Sequence, residues 1–152
     1  MKQKETEVKK IIDNNLVSSM IFKGYGIELR PVRMQDLPTL RRWRNTPAIR
    51  NKMIDSSYIT PRQQRVWFEH TINRVDHAQW VVWCKGGKTG YVNIKTEGQL
   101  QSQEYVSGGY YIAETRFRHA LVGYAVMMMY HDIIFDYMDV PLIKGNIQKT
   151  NM

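Results

Sequence analysis

The 152-residue sequence holds a single cysteine, Cys84. An internal disulfide is thereby excluded, and a reducing compartment, the cytoplasm, is the expected setting. No apolar run reaches the roughly 18 residues that a membrane-spanning helix needs. The stretch Met1 to Lys10 is charged rather than apolar, unlike a secretory leader. A membrane is therefore not among the expected partners. The histidines His70, His77, His119 and His131 form no HExxH pair and have no second cysteine to join, so a metal site is not expected. No serine sits in a G-x-S-x-G turn. Gly87-Lys88-Thr89 has the ending of a phosphate-binding loop, but Val82 occupies the place of its first glycine. Lys85-Gly86-Gly87-Lys88 instead supplies hairpin-turn chemistry.

What remains is an ordinary globular composition, 43% hydrophobic and 24% charged, long enough for one domain with a real core. The net charge of +8 is compatible with a nucleic acid, a phosphorylated small molecule, or solubility alone. Basic residues are dispersed, densest at Arg41, Arg42 and Arg44. With Trp43 among them, these could stack on and neutralise a nucleic acid. That reading ranks below the small-molecule one.

Residues 1–20 read as an N-terminal appendage in which Ile11, Ile12 and Leu16 hint at a short amphipathic helix. Residues 21–152 read as one domain. Alternation from Ile27 to Val32 predicts a strand ending at Pro31. Leu37, Leu40 and Trp43 have helical spacing, with Pro38 early enough to be tolerated. Thr60-Pro61-Arg62-Gln63 is a capped helix start, and that helix should run to about Arg74. Strands are then expected at Gln79 to Cys84, Thr89 to Lys95 and Tyr105 to Ala113, with a polar loop from Thr96 to Gln103. Leu121 to Tyr137 is apolar on most sides and predicts a helix packed between other elements. A last strand is expected at Leu142 to Ile147. The order β-α-α-β-β-β-α-β predicts a mixed α/β (α+β) domain.

The informative stretch is Tyr110 to Gly123, a strand, a turn and a buried helix. Unpaired N–H groups and partial positive charge make a helix N-terminus a pyrophosphate site. Arg118 and His119 stand just ahead of it and Gly123 falls in its first turn. Taken alone the pattern is weak, since any strand–loop–helix can carry an arginine there. The order of elements resembles the fold of the GNAT superfamily of acyl-CoA-dependent N-acetyltransferases, and Arg118-His119-Ala120-Leu121-Val122-Gly123 lines up with its Q/R-x-x-G-x-G/A signature. Arg118 and Gly123 match, and Leu121 replaces the first glycine. Leu29-Arg30-Pro31, Asp36, Trp43-Arg44-Asn45, Ile59-Thr60 and Trp67-Phe68 are similar to a branch that acetylates ribosomal-protein N-termini, spermidine and amino sugars on nucleotides. Asn151 matches an asparagine that contacts the cofactor in the family.

The resemblance covers about residues 27–152 and implies a mixed sheet flanked by helices, with acetyl-CoA as co-substrate and no metal. Its cofactor contacts would come from Tyr111, Ile112, Ala113, Arg118, His119, Ala120, Leu121, Val122, Gly123 and Asn151. A primary amine on a small molecule is the expected acceptor, with an amino sugar on a nucleotide ranked first because of Trp43-Arg44-Asn45. Arg44, Asn45 and Trp67 are the candidates for lining its site, although residues such as Trp43 and Trp67 are more often core aromatics and one such as Arg44 more often a surface charge. A free alkylamine of pKa about 10 is neutral in only about one molecule per thousand at pH 7, so a base is needed. Such a base contributes roughly 10² to 10⁴ in rate. The branch often places a glutamate where Ser107 stands here, which leaves Glu104 and His119 as catalytic candidates. N–H groups near Tyr110 to Ile112 could stabilise the developing oxyanion. Two other classes stay open: a non-catalytic GNAT-like binding module, suggested by Leu121 and Ser107, and a basic nucleic-acid-binding domain. The family pattern also leads to the expectation that the domain lacks its C-terminal helix and strands. A homo-oligomer is one way to complete the sheet.

Overall fold

Two tight turns set the architecture of the computed structural model, which describes residues 17–72, 74, 76–96, 104–114, 116 and 121–145. Strands β1 (Phe22–Gly24) and β2 (Ile27–Pro31) are joined by Tyr25 and Gly26, both at positive φ (53° and 80°). Strands β3 (His77–Cys84) and β4 (Gly87–Lys95) are joined the same way by Lys85 and Gly86, at φ 50° and 77°. Two residues of that hand match the twist of the strands they connect. Strands β5 (Val106–Ile112) and β6 (Ile143–Lys144) complete a six-stranded sheet in the order β1-β2-β3-β4-β5-β6. Every pair is antiparallel except β5–β6, which is parallel.

The helices are α1 (Leu37–Asn45), the short α2 (Pro47–Arg50), α3 (Pro61–Thr71) and α4 (Val122–His131), which continues as a π-helical turn over Asp132–Tyr137. A capping box starts α3: Gln63 N–H donates to Thr60 Oγ1 at 3.2 Å, and Thr60 N–H donates to Gln63 Oε1 at 2.9 Å. Because successive strand residues point to opposite faces, the sheet has two cores. Leu29, Trp80, Val82, Val92, Ile94 and Val106 pack against Val126, Met129, Ile133 and Ile134 of the α4 region. Val81 lies on the other face with Leu37, Leu40, Trp43, Ile49 and Phe68, flanked by Trp83, Tyr91, Tyr111 and Ala113.

The mixed α+β sheet with helices on both faces follows the sequence expectation, but two elements were not expected. β1 has three residues, too few for periodicity to show, and α2 is a single turn between Pro47 and Arg50. The helix expected over Leu121 to Tyr137 is α-helical only to His131. β6 stands at the sheet edge among the described residues, and the far end of the strand expected at Leu142 to Ile147 lies outside them.

Candidate functional site

The site begins with the pairing of β5. Its partners in β6 are limited to Val106↔Ile143 and Ser107↔Lys144, with Val106 N–H donating to Leu142 O at 3.0 Å. Its pairing with β4 runs on to Gly90↔Ile112. Backbone groups alternate in direction along a ladder. Ala113 N–H donates to Thr89 O at 2.8 Å, so the odd-numbered residues of β5 face β4. The even-numbered residues Tyr110 and Ile112 turn their N–H and C=O the other way, to an edge that β6 leaves uncovered among the described residues. The edge of β5 beyond Ser107, with which no described residue of β6 pairs, is termed the wedge; its closed end is at Ser107 and its open end toward Ile112.

The closed end is built by glycine. Gly108 has φ +143°, and a Cβ there would lie 2.2 Å from Asn93 O. The next N–H, that of Gly109, donates to the Asn93 side chain at 2.9 Å. Of the cofactor contacts expected from the sequence, Ile112 has its backbone on the wedge. The Ala113 N–H is held by β4, and Tyr111 offers its side chain to the α1/α3 face. Tyr110 joins Ile112 on the edge. The phase of a ladder depends on its partner strand, which is why the sequence alone does not separate these residues.

Beyond β5 in the chain, α4 starts at Leu121, whose side chain caps nothing and is 78% exposed. Its φ of −71° is one any residue adopts, so leucine sits there without strain. Val122 is buried and anchors the helix, whereas a Cβ on Gly123 would meet nothing within 4 Å among the described residues. The first turn of α4 thus has no capping bond from its N-cap side chain. Arg118, His119, Ala120 and Asn151 lie outside the described residues.

The α1/α3 side of the wedge is polar and aromatic. Tyr91 and Tyr111 pack at 5.5 Å between ring centres. Burial pushes both phenols up; the Arg44 charge opposes the rise at Tyr111, and a hydrogen bond with Asn93 opposes it at Tyr91. Arg44 donates through Nη2 to the Asp55 carbonyl, while its buried Nη1 has no hydrogen-bond partner among the described residues. Asn45 does something different: its amide brackets the Ile59 backbone with two 2.8 Å bonds and pins the chain between α1 and α3. Trp67 is 37% exposed on a helix whose inward residues are Gln64, Phe68 and Thr71. Arg44 is thus the expected acceptor residue that reaches the tyrosine pair.

Glu104 is exposed and precedes β5 by two residues. At about 3.3 Å per residue it stands roughly 20 Å from Tyr110, beyond the closed end of the wedge. Glu114 occupies the open end instead. Its Oε1 accepts from Trp43 Nε1 at 3.0 Å and pairs with Arg42 at 3.5 Å, both contacts using the same oxygen. Sequence reasoning missed Glu114, Tyr91 and Asn93. The only available signal was that Glu114 directly follows the expected strand Tyr105 to Ala113. No group of three or more His, Cys, Asp or Glu side chains converges among the described residues. None of the described helices is long and apolar enough to cross a membrane.

No protein-family model matches the chain, and no match is found among curated proteins. Solved structures do match. Spermidine N-acetyltransferase from Vibrio cholerae, in complex with CoA and spermine, superposes with a TM-score of 0.68 at 13% identity, covering 77% of this chain and 68% of that one. The aminoglycoside acetyltransferase AAC(6')-Ib, bound to paromomycin and acetyl-CoA, gives 0.68 at 15% identity over 83% of this chain and 76% of its own. Mycobacterium smegmatis RimJ, in complex with CoA-disulfide, gives 0.62 at 20% identity over 83% and 64%. Likeness at this level of identity is likeness of fold, and the fold is that of the GNAT acyl-CoA N-acetyltransferases.

Proposed function

We propose that this protein is an acetyl-CoA-dependent N-acetyltransferase acting on a primary amine of a small molecule. The observation that carries the reading is the edge of β5 at Tyr110, whose backbone faces away from β4 and lies beyond the last residue that β6 pairs among the described residues. The arm of CoA contains secondary amides, and an extended chain of amides suits such a strand edge. The first turn of α4, which follows β5 in the chain and has no capping bond from its N-cap side chain, suits the pyrophosphate. Acetyl-CoA supplies a thioester carbonyl open to attack by an amine. The residues of this chain hold it, place the amine and take its proton. That the solved relatives of this fold carry CoA or acetyl-CoA supports the same assignment.

For the proton, Glu114 is better placed than Glu104: it directly follows the Ala113 end of β5, and its Oε1 is fixed by Trp43 and Arg42. His119 stays a candidate from the resemblance. For the acceptor, we rank an amino sugar on a nucleotide first. Arg44 beside Tyr111, with Arg41 and Arg42 on the same helix, suits an acceptor bearing phosphate, and that surrounding charge is unfavourable for a polyamine. The free, buried Cys84 fits the reducing cytoplasm. Ser107 supports a second reading. With no carboxylate at the closed end of the wedge, the protein could bind CoA without turning it over.

Calorimetry with acetyl-CoA, followed by thiol release across a panel of amines, tests the proposal. Wild type should bind acetyl-CoA and release thiol with an amine acceptor. Gly123→Trp should lose binding while keeping its melting temperature, since a Cβ there meets none of the described residues within 4 Å. Unchanged affinity in that variant moves the site away from α4. Binding without thiol release on any amine selects the second reading. A panel in which only peptides or ribosomal proteins are acetylated overturns the acceptor ranking.

A further inference from the structure

Tyr130 is the one polar residue of the α4 core whose hydroxyl is both buried and without a hydrogen-bond partner among the described residues. It is 4% exposed, deep in a layer of mostly apolar aliphatic and aromatic groups. Buried polar atoms are nearly always paired, and an unpaired one costs free energy that a phenylalanine would not. The position of Tyr130 suggests what the hydroxyl is for. Its ring meets the ring of Tyr110 edge-on at 5.7 Å and 62°. Tyr110 belongs to the part of β5 that β6 does not cover among the described residues, and its backbone lines the wedge. The two phenols therefore meet at the α4 side of that opening.

We infer that the Tyr130 hydroxyl is a hydrogen-bond donor reserved for the amide-bearing arm of the bound co-substrate, reaching it from the α4 side of the wedge while the edge of β5 engages it from the flank. This rests on the acetyltransferase reading above and adds a residue to it. The group stays a donor throughout the physiological range, because burial and then Tyr110 push its pKa up to about 12. Tyr130 would act in binding, on a neutral partner, and its contribution should carry no pH dependence near neutrality.

The test separates a phenol that serves the fold from one that serves a ligand. Tyr130→Phe removes only the oxygen, and the melting temperature of the ligand-free protein should stay level or rise. Affinity for CoA should fall about 2- to 12-fold, the range of one neutral hydrogen bond. Affinity for adenosine 3′,5′-bisphosphate, which has the nucleotide end but not the arm, should not change. Val126→Ala, one turn earlier on α4 and fully buried, is the control. It should lower the melting temperature without altering the ratio of the two affinities. Unchanged CoA affinity in Tyr130→Phe, or an equal loss for both ligands, overturns the inference and leaves the acetyltransferase reading standing. A wild type that binds neither ligand overturns both.

Discussion

The two faces of the sheet are built on different chemistry. Toward α4 the layer is aliphatic and aromatic carbon: Leu29, Trp80, Val82, Val92 and Ile94 close against Val126, Met129, Ile133 and Ile134, with Tyr130 as the exception. Toward α1 and α3 the buried apolar residues are interleaved with charge. Asp36 is buried and meets Lys88 at 2.6 Å, and Arg30 lies 4.2 Å over the Trp83 ring, whose other cation neighbour is Lys88. Gln64, also buried, bridges Arg41 and the Leu37 carbonyl at 3.1 and 2.7 Å. Buried charge is tolerable only when paired, and on this face it is paired nearly everywhere. Three buried side-chain atoms lack a hydrogen-bond partner among the described residues: Arg44 Nη1, His77 Nδ1 and Tyr130 OH. His77 opens β3, whereas the Arg44 charge acts on Tyr111 and the Tyr130 ring meets Tyr110, both on β5. The comparison sets an α4 face that chiefly supplies stability against an α1/α3 face that, under the proposed function, would select the acceptor.

The largest expected effect is on stability. Ile134 is fully buried, and Ile134→Ala should cost about 2–5 kcal/mol in denaturant unfolding, the range for deleting a large aliphatic side chain from a packed core. The acceptor KM of the protein that remains folded should not move. If it does, the α4 face reads the acceptor too, and the division between the faces breaks.

Next in size is an effect on the acceptor alone. Arg44→Ala should raise the acceptor KM by roughly 10- to 150-fold, as expected for losing a hydrogen bond from a charged donor, with little change in kcat. Arg44→Lys should recover only part of this, because an ammonium lacks the planar fork of the guanidinium. A fall in kcat with KM unchanged would make Arg44 part of the reaction and would sharpen the boundary between binding and chemistry on this face.

The apolar half of the comparison was the more legible in the sequence. The apolar, β-branched and aromatic run Gln79 to Cys84, the turn at Lys85-Gly86 leading into Thr89 to Lys95, and the cap at Thr60 to Gln63 each express a local rule, and each element formed at its place. Local rules also explain what could not be read. β1 and α2 are too short to show a period. The register that turns Tyr110 and Ile112 rather than Tyr111 toward the wedge is a property of β4 and β5 together. The Trp43–Glu114 bond joins residues 71 apart in the chain, and no spacing rule links them. Asn45 illustrates the opposite problem. A polar residue in a suggestive triplet was assigned to an acceptor, whereas its amide is occupied by the Ile59 backbone. Residue type marked it as polar and important, and only the fold shows that its role is to hold a loop.

The smallest expected effect belongs to neither face and serves as their control. At the root of β3, Arg74 grips Asp76 with Nε and Nη2 at 2.8 and 2.7 Å, and the Asp76 carbonyl accepts from Thr96 N–H at 2.9 Å. The hydrogen bond from Arg74 is the main reason the Asp76 carboxyl is held at about 2 instead of 3.8. A carboxyl depressed in the folded state stabilises the fold above its unfolded pKa, and that stabilisation fades as pH falls through the folded value. The window is therefore about pH 4 down to pH 2. The full linkage would be roughly 2.5 kcal/mol, but half of the Arg74 side chain is exposed and solvent screens the pair, leaving about 1 kcal/mol or less. Urea unfolding should accordingly show Asp76→Asn less stable than wild type at pH 5, with the gap closing as pH drops from 4 to 2. Activity at neutral pH should be unchanged, because Asp76 touches neither the α4 core nor the wedge. A gap that persists at pH 2 would mean that geometry rather than charge holds the root of β3. A change in acceptor KM would mean that the root transmits strain along β3 to Trp83, and that the α1/α3 face is less independent of its frame than its paired charges suggest.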